Sequence, residues 1–240
     1  MILYMAAAAC VILYAQGVIK QHTLDRRVGD IYYRQVYEEL LGGAVTRAKA
    51  QASSPEPSPP PQKLLPFLDI NQDFVAMLNI PGSNISTPVV WTGDNKKYLN
   101  LSFEGKKSAR GTVFLGCGNN GRFSDKNNVL YGHNMKDGTM FGGLMRYKKP
   151  GYHKDAPVIE IDSIYGKTSW LIFAAYTCEQ DHKYFHTKFQ DGEFKALINE
   201  IQERSVFTTD IDVGEHDIIL TLSTCDGIGN ARFAVHAVRV

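Results

Sequence analysis

Eight short β-rich runs follow one another after Phe67: FVAMLNI, TPVVW, TVFLG, NVLYGH, PVIEID, SWLIFAAYTC, DIILTLSTC and RFAVHAVRV. Gly, Asn and Asp turns separate them, and short strands broken by such turns build a barrel or a sandwich, not a helical bundle. Three stretches interrupt the pattern. Asn95 to Asn100, Met140 to Tyr147 and Gly192 to Glu203 read as helical patches, the last with Phe194, Leu197, Ile198 and Ile201 on one face. No internal repeat is evident. The fold expected is mainly β, a mostly antiparallel barrel of about 170 residues with helices between strands, a size usual for one domain.

The first 19 residues, MILYMAAAACVILYAQGVI, carry no charge before Lys20, and roughly 20 apolar residues suffice to cross a bilayer as a helix. Residues 1–19 therefore read as a transmembrane anchor. A cleaved signal peptide is the rival, but no positive n-region precedes the apolar run, and Lys20, Arg26 and Arg27 follow it. Those cations also run against the positive-inside rule for an outward-facing domain, which suggests a basic stretch upstream of Met1. AAAC at Ala7 to Cys10 as a lipidation site is the third reading, with few apolar residues before it.

Residues 20–47 form a juxtamembrane segment in which Val28, Tyr32, Val36 and Leu40 recur at helical spacing until Gly42 and Gly43 stop them. Residues 48–66 carry prolines at 55, 57, 59, 60, 61 and 66, a composition that favours extended polyproline II and builds no core. This stretch reads as a spacer between a membrane and the barrel domain, residues 67–240. A net charge of +1, with no basic stripe, argues against nucleic acid as a partner.

The four cysteines are Cys10, Cys117, Cys178 and Cys225, and with Cys10 inside the apolar run three remain, an odd number that cannot all pair. Their spacing with the histidines matches no zinc site, and no acidic cluster suggests calcium, so neither metal nor cofactor is expected. Cys225 draws attention through TLSTCDGIGNAR. In DIILTLSTC, Ile218, Leu220 and Leu222 share one strand face, and Ile219, Thr221, Ser223 and Cys225 the other. A simple hairpin through DGIGNA would set Cys225 opposite Arg232, on the same face. Free cysteine usually packs as a small hydrophobe. A guanidinium beside it argues otherwise, because burying that cation is costly and a neighbouring positive charge favours the reactive thiolate.

A cysteine nucleophile needs a proton-transfer partner, usually histidine. His22 lies by the membrane segment; His153, His182, His186 and His216 fall in turn-like polar surroundings where exposure is the usual state; His236 sits inside the last strand. His133 differs, being just past a strand and next to Gly132, in a loop held by a scaffold.

TLSTC followed by RFAVHA, with LYGHNMKDGTMF upstream, resembles a class B sortase over about Phe67 to Val240, and GEFKALINEI before the Cys strand is similar to the class B pattern. The stretch between Cys225 and Arg232 is shorter than that pattern. Sortases are membrane-anchored cysteine transpeptidases of Gram-positive bacteria, so the resemblance implies a closed eight-stranded barrel preceded by an N-terminal helical stalk. It implies Cys225 as nucleophile, His133 as general acid or base, and Arg232 as the cation that stabilises the oxyanion. It further nominates Asn95 and Leu99 in DNKKYL, Tyr131, Ser223 and Thr224 beside the catalytic elements, and Tyr184 and Phe185 in HKYFH, as substrate contacts. Packing in the barrel is the alternative for Leu99, Tyr131 and Phe185.

The implied reaction cleaves a C-terminal sorting signal of NPxTx type after Thr, passes through a thioester, and joins the secreted protein to a peptidoglycan-precursor amine on a lipid II stem or cross-bridge. The implied location is the cell membrane, single-pass, with the domain outside the cytoplasm. A pilin-polymerising sortase stays open within the family. A papain-type cysteine peptidase places its Cys before its His, opposite to the order here, and a non-enzymatic adhesion domain would keep Cys225 packed and unreactive.

Overall fold

The computed structural model describes residues 60–180 and 182–240, where the eight β-rich runs all become strands of one closed sheet. The anchor, the juxtamembrane helix and most of the spacer lie outside the described residues. Among the described residues no helix is long and apolar enough to cross a membrane. The strands are β1 (Phe74–Ile80), β2 (Ile85–Trp91), β3 (Val113–Leu115), β4 (Asn127–Tyr131), β5 (Val158–Ser163), β6 (Gly166–Cys178), β7 (Ile219–Cys225) and β8 (Arg232–Arg239). They close in the order β1-β2-β3-β4-β7-β8-β6-β5. Two pairings, β2 with β3 and β4 with β7, are parallel, and the others are antiparallel.

Alternation explains the interior. Leu78 and Ile80 of β1, Leu220 and Leu222 of β7, and Phe233, Val235 and Ala237 of β8 meet inside the barrel with almost no exposed surface. A register shift between Phe74 and Ala76 breaks the alternation in β1 and lets the adjacent Val75 and Ala76 both join the core. Upstream, the helix Leu65–Ile70 contains Phe67, whose ring stacks on Phe74 with centroids 5.2 Å apart, and Leu64 is buried. Phe67, read as the start of the barrel domain, lies within this helix.

The predicted helical patches materialise in two forms. Glu193–Arg204 is an α-helix, and Phe194, Leu197, Ile198 and Ile201 pack its apolar face onto Leu171, Phe173, Ile219 and Val238 of the barrel's outer surface. The other two are 3-10 segments, Lys97–Leu99 and Gly142–Lys148. At the second, a Cβ on Gly142 would lie 2.3 Å from the Met135 carbonyl oxygen, so this tight path admits only glycine there.

This outer layer buries polar residues that alternation alone would leave wet. Thr221 Oγ1 donates to Asn127 Oδ1 at 2.8 Å and lies 2.9 Å from His236 Nδ1, while Asn127 Nδ2 donates to the carbonyls of Tyr184 and His186 at 2.7 and 2.9 Å. His236 is fully buried and stacks on Tyr176. His153 and His182 also differ from the exposed state expected in the sequence. His153 is buried against the Phe207 ring at 4.1 Å, and the His182 side chain is 8% exposed with Nε2 2.8 Å from Glu200 Oε1. His186 and His216 are exposed.

Burial holds His236 well below the ordinary histidine value of 6.5, at about 3. Below about pH 6.5 the unfolded chain takes up a proton that the folded chain refuses until about pH 3. Stability contributed by neutral His236 is thus full above that window and falls as pH drops through it, at up to about 1.4 kcal/mol per pH unit. Urea midpoints of the chain should fall between pH 7 and pH 5, and His236→Phe, which cannot titrate, should flatten that slope.

Candidate active site

The hairpin β7–β8 pairs Cys225 with Arg232, and Arg232 Nη1 donates to Cys225 Sγ at 2.6 Å. The short connection is closed by Asp226 N donating to the Ala231 carbonyl at 2.9 Å, with Gly227 and Gly229 at φ 86° and 52°, a region glycine enters without strain. Cys225 is exposed at the strand's end. On its other side Arg232 pairs with Cys178 of β6, so the guanidinium sits between two cysteines on one face of three adjacent strands. Cys178 is buried, and desolvation pushes its thiol up to about 12. It remains a packed, protonated thiol. The third described cysteine, Cys117, is exposed, with its backbone N–H on Asn95 Oδ1 at 2.8 Å. Cys117, Cys178 and Cys225 are all free.

His133 reaches this place through a long-range pairing. Strand β4 runs parallel to β7 with Tyr131 opposite Ser223, and the same offset carried onward sets His133 level with Cys225. One backbone bond and two side-chain bonds continue that far: Gly132 N donates to the Ser223 carbonyl at 3.2 Å, Thr224 Oγ1 to the Gly132 carbonyl at 2.8 Å, and Asn134 Nδ2 to the Cys225 carbonyl at 2.9 Å. The imidazole is oriented by the Leu99 carbonyl, 2.8 Å from His133 Nε2. A carbonyl only accepts, so Nε2 carries the proton and Nδ1 is the nitrogen left for proton transfer.

The residues nominated as substrate contacts separate into two groups. Asn95, Leu99 and Phe185 are exposed around the site, Leu99 at 36% and Phe185 at 39%. Phe185 lines a cleft of about 760 Å³ with Thr177, Glu179, Gln180, Asn230 and Ala231, beside the Arg232 end of β8. Tyr184, Ser223 and Thr224 are buried; the Tyr184 hydroxyl lies 2.8 Å from Ser223 Oγ, so these two brace the floor beside Cys225, while Thr224 turns inward onto the Gly132 carbonyl. Tyr131 packs its ring at a tilt against Phe114, centroids 5.4 Å apart, and burial raises its phenol well above the usual tyrosine range, with Tyr184, Cys117 and Arg232 among the groups it senses. Sequence reasoning missed two participants. Asn134 had a signal, its place next to His133, whereas the Leu99 backbone carbonyl acting on His133 had none. Among the described residues no group of His, Cys, Asp and Glu side chains could hold a metal ion.

A scan against protein-family models finds no match. The curated sortase B of Staphylococcus aureus is 34% identical over 158 residues, and the match spans 65% of this chain and 65% of that relative, just under two thirds of its length. The solved Staphylococcus aureus sortase B–substrate complex aligns with a TM-score of 0.72 at 30% identity, over 76% of this chain and 87% of that one. Clostridium perfringens sortase B aligns with a TM-score of 0.69 at 31% identity, over 73% of this chain and 98% of that one. An eight-stranded barrel with Cys, His and Arg convergent at the ends of β4, β7 and β8, and identity above 30% across nearly the whole of a solved sortase B, show that the chain belongs to the class B sortase family.

Proposed function

We propose that the protein is a cysteine transpeptidase that cleaves a C-terminal sorting signal after Thr and transfers the acyl group to an amine of the peptidoglycan precursor. The observation that carries this reading is the Arg232 Nη1 to Cys225 Sγ contact of 2.6 Å, at an exposed thiol level with His133. In this reading the Cys225 thiolate attacks the Thr carbonyl carbon, and the oxygen gains the electron pair of the C=O bond. The guanidinium of Arg232 is already in place to share that developing charge. Collapse of the adduct expels the amine, which takes its proton from His133, and leaves a thioester on Cys225. The acceptor amine then adds to the thioester, His133 takes the proton it loses, and the thiolate departs.

Asn95, Leu99 and Phe185 are the proposed direct contacts for the signal, with Tyr131, Tyr184 and Ser223 shaping the floor. Residues 1–19 would anchor the chain in the cell membrane of a Gram-positive bacterium, and the spacer would hold the barrel outside the cytoplasm, where both substrates are presented. That the Staphylococcus aureus sortase B to which the chain is similar forms a complex with a substrate supports this reading.

The test incubates the full chain in detergent with quenched NPxTx and LPxTx peptides, with and without an amine acceptor. Cleavage after Thr is expected, with an amide product replacing the free acid when the amine is present. Hydrolysis indifferent to amine would make the protein a peptidase, and an intact peptide with an unreactive Cys225 would favour an adhesion domain.

A further inference from the structure

We propose that Lys148 is a positioning residue for Cys225, acting through an ion pair with Asp226 that ties the His133-bearing segment to the β7–β8 turn. Asp226 follows Cys225 directly, and by strand alternation its carboxylate takes the barrel-interior side while the thiol takes the outer side. Its side chain is 3% exposed and pairs with Lys148 Nζ, whose side chain is 34% exposed. Lys148 is the last residue of the 3-10 segment Gly142–Lys148, and its ammonium lies 5.3 Å from the ring centroid of Phe233. The cation is held at the barrel mouth by a carboxylate and an aromatic face.

The turn has little else to fix it. Its own backbone bonds are Asp226 N to the Ala231 carbonyl and Ala231 N to the Ile228 carbonyl, and Ile228 at its tip is 72% exposed. Among the described residues two side-chain tethers reach it: Asn134 Nδ2 on the Cys225 carbonyl, and Lys148 on Asp226. Both come from the stretch that begins at His133, which is folded on itself by Phe141 N donating to the His133 carbonyl at 3.0 Å. The pair therefore sets the general acid and the nucleophile relative to each other.

A carboxylate this far from water needs its countercharge, unlike a surface pair. Without Lys148, Asp226 must reach water, and the turn that carries it must move Cys225 away from Arg232. The charged group in contact with the thiol is Arg232 from β8, with the titratable His133 from the extension of β4 level with it, so Lys148 acts by placement and not through its own field.

The experiment uses the full chain and three variants: Lys148→Met, Lys148→Arg and the double variant Lys148→Met/Asp226→Leu. Thermal midpoint, kcat and KM on a cleaved sorting peptide, and the iodoacetamide alkylation rate of Cys225, corrected with Cys225→Ala for Cys117, are measured. Lys148→Met is expected to lower kcat and alkylation each by about tenfold with KM nearly unchanged, a misplacement effect, and Lys148→Arg to restore most of both. The double variant leaves no buried charge, so its thermal midpoint should recover while kcat and alkylation stay low. Recovery of all three together would make the pair a stability device only and overturn the proposal, as would an unaltered Lys148→Met. If Lys148→Met does not fold, the double variant decides alone. The kinetic arm rests on the transpeptidase reading; alkylation does not, so an uncut peptide would fail that reading and leave the placement test intact.

Discussion

Cys225→Ala should fold with the wild-type thermal midpoint and lose peptide cleavage by at least about 10⁴-fold, the scale of deleting a covalent nucleophile. The side chain is exposed at the end of β7, and its removal opens no core cavity. Cys117→Ala and Cys178→Ala provide the contrast. Cys178 is buried with its thiol pushed up to about 12, and Cys117 has no guanidinium in hydrogen-bond contact among the described residues. Cys117→Ala should keep the wild-type rate, and Cys178→Ala should cost stability before activity, because it removes a packed sulfur from the cluster that includes Tyr176 and Tyr184. Turnover surviving in purified Cys225→Ala, read by mass spectrometry of the peptide products, would end the proposed mechanism.

Arg232→Lys should fold, keep a thiol that can be alkylated, and lose at least about tenfold in kcat on the sorting peptide. The guanidinium is a rigid planar fork already in contact with Cys225 Sγ at 2.6 Å. Lysine keeps the charge but supplies a single point donor of different reach, so it cannot hold the thiolate side and the oxyanion side of the reaction at once. The loss should fall on kcat more than on KM, since the oxyanion exists only in the transition state and the intermediate. A wild-type rate for Arg232→Lys would leave Cys225 as nucleophile and remove Arg232 from the catalytic set.

The local parts of this site were legible in the sequence. The opposition of Cys225 and Arg232 follows from the period of a strand and a short Gly-containing turn, both of which act over neighbouring residues. The helix Glu193–Arg204 with its apolar face, and the identity of all eight strands, follow from hydrophobic period in the same way. His133 stood out by its place after a strand, and by the wording around it that resembles class B sortases.

What only the tertiary structure decided is everything that depends on which distant strands lie side by side. Closure of the barrel pairs β4 with β7 in parallel, and that pairing, not any local pattern, brings His133 level with Cys225. The outer layer then decides exposure: Tyr184 and Ser223 lie close to the catalytic strands, yet packing of the 182–189 segment over β4 and β7 buries them as floor, while Thr224 faces the barrel interior and bonds the Gly132 carbonyl. It also places His236 in a dry stack, though its strand position reads equally as packed or wet. The Leu99 carbonyl on His133 and the Lys148 ammonium on Asp226 carry no local signature, because a backbone acceptor or a surface-type cation acquires its role only from what the fold sets beside it. Strand period and turn chemistry operate over a few residues, whereas these contacts span long stretches of chain and are fixed by closing one sheet around one core.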